Sequence, residues 1–322
     1  MRILVTGGAG FIGSHLVEKL LGVGHEVIIL DDFNDFYDPQ IKHANIAGFA
    51  KDVTVCHVDL RENDSVRTLF RREKLDVIVH LAARAGVRPS IQSPRLYYDT
   101  NVVGTLHLLE AARAKGVERF IFASSSSVYG ASKTVPFSEE QHLTQTLSPY
   151  GATKIGGEFV CSTYSHLYNM RVVALRYFTV YGPRQRPDLA IHQFTRRIHA
   201  GEPINQFGEG TTQRDYTYVD DIVDGILRAW AWLQRGDTTA GAYDIFNLGG
   251  SHPVPLLELI RLLETSLECT ASIDWQAEQP GDVPITYADL RKSAALLGYH
   301  PQVDIATGIE RFARWFQESY KD

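Results

Sequence analysis

Six short runs of mostly β-branched residues recur along the chain, and they constrain its fold more than any other feature. They lie at residues 3–5, 27–30, 53–55, 77–79, 120–122 and 172–175. Each run is apolar on both faces, which is typical of parallel strands that helices cover on both sides. Helical segments separate them, at residues 14–21, 63–74, 98–115 and 150–168. The alternation predicts an α/β fold with a doubly wound parallel sheet.

The chain after the sixth run has a different pattern. Helices are predicted at residues 192–200 and 220–233, with a glycine-rich turn at 208–210. Residues 243–249 have the character of one more core strand, and the remainder to residue 322 is predicted to be helical with short loops. The length of the chain, 322 residues, fits about two domains. We expect a larger domain and a smaller, split α/β domain, at residues 1–180 plus 218–250 and at residues 181–217 plus 251–322.

Charge, hydropathy and cysteine content exclude several classes of protein. The chain carries 32 Lys and Arg against 38 Asp and Glu, a formal net charge of −6. A mildly acidic chain is a poor candidate for nucleic-acid binding, which needs a basic surface. No apolar run approaches the ~18 residues of a membrane span, so we expect no membrane partner. Three distant cysteines, and the absence of a ligand set around the histidines, favour a cytoplasmic protein without a disulfide scaffold or a metal.

A glycine-rich segment directly follows the first predicted strand and opens the first helix. Gly7, Gly10 and Gly13 have the spacing that allows a tight turn and the close approach of a pyrophosphate. The helix N-terminus then offers free N–H groups and a positive dipole end to the phosphates. The segment therefore predicts a dinucleotide-binding loop.

Acidic residues end the second and third predicted strands. Asp31 stands where a carboxylate accepts hydrogen bonds from the hydroxyls of an adenosine ribose and repels a 2′-phosphate. Its neighbour Asp32 is placed to share this role, and Asp59 is placed to contact the adenine amine. The carboxylate at the second strand favours NAD over NADP as the cofactor.

A tyrosine and a lysine stand four residues apart in the fourth predicted helix, at Tyr150 and Lys154. This spacing places both side chains on one helix face. We expect the ammonium to lower the phenol pKa from about 10, so that the phenolate acts as a general base on a sugar hydroxyl. Residues 124–127 are all serine and end the fifth strand, and the carboxyl ends of parallel strands are where such folds keep their chemistry.

Five segments carry a resemblance that covers essentially the whole chain: TGGAGFIG at residues 6–13, HLAA at 80–83, SSSVYG at 125–130, the Tyr150 and Lys154 pair, and RDYTYVDD at 214–221. Together they resemble the extended short-chain dehydrogenase/reductases, which have a Rossmann domain, and within them the nucleotide-sugar epimerases. Residues 32–38, 85–88 and 176–183 are most similar to the UDP-glucuronate 4-epimerase branch.

The resemblance implies an NAD-dependent cycle at C4 of a UDP-sugar, with UDP-glucuronate and UDP-galacturonate as the expected pair. Tyr150 would take the 4-hydroxyl proton, assisted by Ser125 and Lys154, while a hydride moves to NAD. The 4-keto sugar then turns, and the hydride returns to its opposite face. Family members are commonly homodimers through a four-helix bundle, here expected from the helices around residues 98–115 and 150–168.

The resemblance also implies which residues bind the two ligands. The diphosphate would contact Arg214, the uridine ribose Asp282 and the uracil Phe207. The expected cofactor-binding residues are Gly7, Gly10, Phe11, Ile12, Gly13, Asp31, Asp32, Asn34, Asp59, Leu60, Leu81, Ala82, Ala83, Tyr150 and Lys154. The expected substrate-binding residues are Arg88, Ser125, Ser126, Ser127, Tyr150, Thr179, Arg186, Phe207, Arg214 and Asp282.

Related reactions differ in the side chains they need. A 4,6-dehydratase of this family has an Asp-Glu pair directly after the catalytic Ser or Thr, whereas Ser126 and Ser127 follow here. Those two hydroxyls and Thr179 would hold a glucuronate carboxylate out of alignment for decarboxylation. The pair Arg184-Gln185 also occurs in neutral-sugar epimerases, which leaves UDP-galactose and UDP-N-acetylgalactosamine open. A silent NAD-binding protein would not need this catalytic set, and Asp31 opposes an NADP-dependent reductase.

Overall fold

The computed structural model of the chain describes residues 1–235, 242–277 and 283–320. The strands are β1 (Arg2–Thr6), β2 (Glu26–Asp31), β3 (Thr54–His57), β4 (Val77–His80), β5 (Arg119–Ser125), β6 (Arg171–Tyr177), β7 (Thr179–Tyr181), β8 (Ile204–Phe207), β9 (Gln213–Tyr218), β10 (Tyr243–Leu248), β11 (Pro253–Pro255) and β12 (Ile273–Gln276).

The α-helices are α1 (Phe11–Gly22), α2 (Pro39–Ile46), α3 (Asn63–Arg72), α4 (Val87–Gln92), α5 (Pro94–Tyr98), α6 (Gly104–Lys115), α7 (Pro149–Tyr168), α8 (Ala190–His199), α9 (Val219–Gln234), α10 (Leu256–Leu267), α11 (Arg291–Leu297) and α12 (Ile305–Ser319). A π-helical turn at Asp99–Val103 leads into α6, and a 3₁₀ turn at Ser126–Tyr129 follows β5. Among the residues described, no helix combines the length and the apolar character needed to cross a bilayer.

Seven parallel strands form the central sheet, in the order β10-β6-β5-β4-β1-β2-β3. The chain winds outward in one direction from β1 to β3 and then in the other from β4 to β10. This topology confirms the doubly wound fold, including the strand predicted near residues 243–249. In such sheets the ligand crevice lies outside the carboxyl ends of the strands, where the winding reverses.

The two faces of this sheet build separate cores, because successive side chains of a strand point to opposite sides. In β1, Ile3 and Val5 pack with residues of α1 and α9 on one face. Leu4 packs with residues of α3, α6 and α7 on the other face. All three side chains are fully buried. Burial on both faces explains why the strand runs are apolar throughout instead of alternating.

Segments on both sides of β10 form a smaller region with its own core. Residues of α8, α10 and α12 pack there against residues of β8 and β9. Two small sheets belong to this region, one of β11, β9 and β7 and one of β12 and β8. The prediction that the chain after residue 250 is helical with short loops was wrong at β11 and β12. These two strands have three and four residues, too few to show a period in the sequence.

Two glycines allow α1 to pack closely on β1. Gly7 has a φ of +68°, and a Cβ there would lie 2.9 Å from the backbone of Ala82. A Cβ on Gly13 would lie 2.1 Å from the carbonyl oxygen of Gly7. The glycine loop and the first turn of α1 are therefore closer to each other than any other residue type permits.

We expect Gly13→Ala to lower the free energy of unfolding by about 1–3 kcal/mol, since the backbone it meets cannot move aside as a side chain would. Gly22→Ala in the same helix is the matched control, because a Cβ there has nothing within 4 Å. The control should be neutral or stabilising by up to about 1 kcal/mol, as alanine is the better helix former. Urea unfolding of both variants measures the difference. Equal stabilities would contradict the close packing.

Candidate active site

A cavity of about 790 Å³ opens along the carboxyl ends of the central strands and continues into the smaller region. Asp282 lies outside the described residues. Every other residue predicted to bind cofactor or substrate lines this cavity: Gly7, Gly10, Phe11, Ile12, Gly13, Asp31, Asp32, Asn34, Asp59, Leu60, Leu81, Ala82, Ala83, Arg88, Ser125, Ser126, Ser127, Tyr150, Lys154, Thr179, Arg186, Phe207 and Arg214. Residues far apart in the sequence thus meet in one place.

The glycine loop forms one wall of the cavity and fits a pyrophosphate. Gly10 precedes α1, and no side chain caps this helix end. The first N–H groups of a helix have no partner within it, and the helix dipole adds positive potential. Because a Cβ on Gly7 or Gly13 would fill the space beside the loop, the cradle exists only for glycine. These features suit the dinucleotide predicted from the sequence.

Asp31 lies at the end of β2 and is only 3% exposed. Its carboxylate accepts hydrogen bonds from the backbone N–H groups of Ala9 at 3.2 Å and Phe33 at 3.0 Å. Lys42 of α2 completes the set, with its Nζ 2.7 Å from Oδ1 of Asp31. Sequence reasoning did not identify Lys42, since its separation from the glycine loop gives no signal. The part of the cavity predicted to bind adenosine therefore contains a buried ion pair.

Asp59 follows β3 at the same end of the cavity. Arg61 grips its carboxylate, with Nε 3.0 Å and 2.9 Å from the two oxygens and Nη2 2.5 Å from Oδ2. Burial acts to raise the pKa of Asp59, but the bonds from Arg61 hold it below its ordinary value. Asp59 is thus a charged acceptor positioned by Arg61, and its contact with an adenine amine stays a prediction.

The predicted catalytic side chains come from β5 and α7. Ser148 caps α7 by accepting a hydrogen bond from the N–H of Gly151 at 3.1 Å, and this start of the helix sets the position of Tyr150. Ser125 is the last residue of β5, and its hydroxyl lies near enough to the Tyr150 phenol to act on its pKa. Lys154 donates to the carbonyl of Ala123 at 2.6 Å, and its Nζ is 5.8 Å from the centre of the Tyr150 ring.

The protonation states of this group differ from the expectation in one respect. Burial raises the pKa of Tyr150 above its ordinary value, while the nearby Ser125 hydroxyl and the charge of Arg186 act in the opposite direction. Burial also lowers the pKa of Lys154 to about 8, against the effect of Glu158. The prediction that Lys154 lowers the phenol pKa is therefore wrong for the protein alone. Desolvation of the ring dominates, and the ammonium is directed at a backbone carbonyl.

A buried ion pair beneath the catalytic group was not predicted from the sequence. Arg176 of β6 binds Glu158 of α7 through two bonds, Nε to Oε1 at 2.9 Å and Nη2 to Oε2 at 2.8 Å. Arg176 also donates to the Tyr129 hydroxyl at 3.1 Å, which donates to Asn247 of β10 at 2.7 Å. Ser124 donates to Glu158 at 2.5 Å. The network joins α7 to three neighbouring strands.

Three residues whose hydroxyls are predicted to receive a carboxylate line the cavity: Ser126, Ser127 and Thr179. The first two form part of the 3₁₀ turn after β5, where the N–H of Ser127 donates to the Ser125 hydroxyl at 3.1 Å. Thr179 opens β7, directly after the adjacent strand β6. The end of one strand and the start of another therefore bring these hydroxyls to one cavity.

The three arginines predicted to bind substrate line the cavity. Arg186 pairs with Asp188, with Nε 2.9 Å from Oδ1 and Nη2 2.7 Å from Oδ2. Arg88 lies over the ring of Phe207, with its guanidinium carbon 4.8 Å from the ring centre. Arg214 of β9 lines the same space. These three guanidinium groups suit an anionic ligand, because their N–H donors match phosphate and carboxylate oxygens.

Residues 3–249 match the profile of the NAD dependent epimerase/dehydratase family. The chain belongs to this family. The resemblance drawn from the motifs is thereby confirmed, and the match includes the glycine loop, the serine run and the tyrosine–lysine pair.

Individual proteins of known activity are similar to this chain along nearly its whole length. A UDP-glucuronate 4-epimerase of Thermodesulfobacterium geofontis is 39% identical, over 98% of this chain and 96% of the relative. The crystal structure of a UDP-glucuronic acid 4-epimerase from Bacillus cereus, in complex with UDP-glucuronic acid and NAD, has a TM-score of 0.91 and 36% identity, over 99% of this chain and 100% of that chain. A UDP-glucose 4-epimerase from Thermotoga maritima, with UDP-glucose, has a TM-score of 0.89 and 31% identity, over 99% of both chains.

We expect Glu158→Gln to destabilise the fold by about 3–5 kcal/mol, since Arg176 then keeps a buried charge without a countercharge. The double variant with Arg176→Met should be more stable than Glu158→Gln alone. Glu310→Gln is the control, because Glu310 pairs with Arg314 on the exposed face of α12 and the loss there should stay below about 0.5 kcal/mol. Denaturant unfolding measures all three. A double variant less stable than Glu158→Gln would contradict the argument.

Proposed function

We propose that this protein interconverts UDP-glucuronate and UDP-galacturonate by NAD-dependent epimerisation at C4. The observation that carries the proposal is the position of Tyr150, Ser125 and Lys154, which meet at the carboxyl end of β5 inside the cavity that contains the glycine loop. Its family and its similarity to UDP-glucuronate 4-epimerases along nearly the whole chain support the same reaction. Asp31, with its carboxylate at the adenosine end, supports NAD as the cofactor.

Tyr150 is the proposed general base. Its phenol takes the proton of the sugar 4-hydroxyl, and Ser125, whose hydroxyl lies near that phenol, steadies the sugar hydroxyl during the transfer. Bound NAD would supply the acceptor for the hydride from C4 and the donor that returns it to the opposite face. Its nicotinamide charge would favour the ionised phenol. Lys154 keeps an ammonium behind the ring, held by the carbonyl of Ala123. After the 4-keto sugar has turned, Tyr150 gives the proton back.

The carboxylate of a glucuronate needs separate control during this cycle. Once C4 is a ketone the sugar is a β-keto acid, and it loses CO₂ when its carboxylate bond aligns with the carbonyl π system. Ser126, Ser127 and Thr179 present hydroxyl groups in the cavity, and hydrogen bonds from them would hold the carboxylate in another orientation. We therefore propose these three residues as the groups that favour epimerisation over decarboxylation.

We propose that the UDP part of the substrate lies toward the smaller region. Arg214 and Arg88 offer guanidinium donors to the diphosphate, and Phe207 offers a ring face to the uracil. Arg186 lies near enough to Tyr150 for its charge to act on the phenol, which supports a contact with the reacting part of the sugar. The proposed contact of Asp282 with the uridine ribose remains a prediction, since that residue is outside the described part of the chain.

A panel of UDP-glucuronate, UDP-galactose and UDP-N-acetylglucosamine tests the proposed substrate. We expect UDP-glucuronate to give its 4-epimer, with little UDP-pentose or CO₂, because the three hydroxyls compensate and orient the carboxylate. Chromatography of the nucleotide sugars and trapping of CO₂ measure both outcomes. If only the neutral sugars react, the carboxylate argument for Ser126, Ser127 and Thr179 is wrong.

Tyr150→Phe is the control that separates chemistry from binding in the same panel. It removes the phenol hydroxyl and keeps the ring, so turnover should fall by at least ~100-fold, the scale of a lost general base. UDP affinity, measured by calorimetry, should change less than about threefold, because the proposed diphosphate contacts lie elsewhere. Wild-type turnover in this variant would remove Tyr150 from the mechanism.

We also propose that two copies pair through the helices around residues 98–115 and 150–168. These helices present large apolar side chains to solvent, on Tyr98, Val103, Leu106, Phe159 and Leu167. The Tyr164 hydroxyl donates to Glu110, which holds α7 and α6 together. Exposed apolar patches of this kind mark interaction surfaces, and two such helix pairs would bury them as a four-helix bundle.

We expect Phe159→Glu to shift the protein from dimer to monomer, because Phe159 is 70% exposed and a charge at this position opposes its burial. Leu296→Glu is the control, on α11 and 42% exposed, and it should leave the dimer intact. Sedimentation velocity over a range of protein concentrations gives both answers. A wild-type protein that sediments as a monomer throughout would refute the proposed interface.

A further inference from the structure

The adenosine end of the cavity contains a cation as well as the expected carboxylates. Lys42 is 7% exposed, although lysine is among the residues least often buried. Its Nζ is 2.7 Å from Oδ1 of Asp31 and 3.6 Å from Oδ1 of Asp32. Both Lys42 and Asp31 line the cavity. A buried ammonium thus lies between the two acids that face the predicted ribose.

Aromatic rings and the helix α2 hold this ammonium in place. Its Nζ lies 6.0 Å from the ring centre of Phe33 and 5.7 Å from that of Tyr37. Phe33 is itself stacked on His43 of α2, with ring centres 4.5 Å apart. Asp32 has a further partner, since Asn34 donates to its Oδ1 at 2.5 Å. Of the two ion pairs that Lys42 makes, the one with Asp31 is the shorter, and its carboxylate partner is not shared with Asn34.

We propose that Lys42 is a residue that determines cofactor specificity, a latent binding group for a 2′-phosphate that Asp31 keeps occupied. The inference rests on NAD as the cofactor and does not depend on which sugar the protein converts. In the wild type, the ammonium has the Asp31 carboxylate as its partner, and a 2′-phosphate would meet a negative oxygen. With a neutral residue at position 31, the same ammonium has lost its closest negative charge and can donate to phosphate oxygens.

The formal charge at this site predicts the order of the variants in their ratio of bound NADP to NAD. Asp31, Asp32 and Lys42 together carry a formal charge of −1, as −1 − 1 + 1. Asp31→Asn makes the sum zero and releases the ammonium. Asp31→Asn combined with Lys42→Met returns the sum to −1 with no cation, and methionine keeps an unbranched apolar side chain against the two rings. The double variant also avoids leaving a buried charge without a partner.

The experiment is equilibrium dialysis of the full-length protein against equal concentrations of NAD and NADP, followed by quantification of each dinucleotide bound per chain. Wild type should hold NAD almost alone. Asp31→Asn should raise the ratio of bound NADP to NAD by at least ~10-fold, and the double variant should lose about 10-fold of that ratio, on the scale of one charge-assisted contact. Circular dichroism confirms that each variant is folded.

Asp32→Asn separates a direct contact from a simple change of net charge. It makes the same change in formal charge as Asp31→Asn, at the longer of the two distances to Lys42. Its gain in the NADP to NAD ratio should be well below that of Asp31→Asn. The proposal is overturned if the double variant retains the full gain of Asp31→Asn, or if Asp32→Asn gains as much as Asp31→Asn does.

Discussion

The ion pair between Glu158 and Arg176 is the interaction on which the active site depends. Both side chains are buried, and a charge in a protein interior requires a partner and hydrogen bonds to its remaining polar atoms. Arg176 finds them in Glu158 and Tyr129, while Glu158 also accepts a bond from Ser124. This pairing fixes the rotation of α7 against β5 and β6. Lys154 lies one turn before Glu158, so that constraint also directs the face of α7 with the proposed catalytic residues toward the cavity.

Positively charged side chains line the cavity, although the net charge of the chain is negative. The chain has a net charge of −6, yet both proposed ligands carry phosphates. The N-terminus of α1 follows the glycine loop, three arginine side chains line the cavity, and Lys42 lies within 3.6 Å of two acids. The acidic sum therefore argues against a polyanion such as nucleic acid, which contacts a broad surface, and not against a nucleotide held in one cavity.

Sequence patterns predicted the parts of the fold that repeat. The strands β1, β2, β4, β5 and β6 could be found because burial on both faces leaves uninterrupted apolar runs, and the long helices because their apolar stripes extend over several turns. β11 and β12 escaped prediction, since three or four residues show no period and their stability comes from pairing with β9 and β8. The helix α2, which carries Lys42, is also short, and its amphipathic character is weak.

The sequence by itself determined the chemistry of the candidate site: glycines that allow the loop, an acid after β2, and a serine, tyrosine and lysine with the spacing of a catalytic group. These are properties of residue type and local order, which a linear pattern records. Only the tertiary structure decided which charges pair, as Lys42 with Asp31 and Glu158 with Arg176 do. It also decided that burial keeps the Tyr150 pKa high in the protein alone. Pairing and desolvation depend on distances through space, and separation along the chain does not encode them.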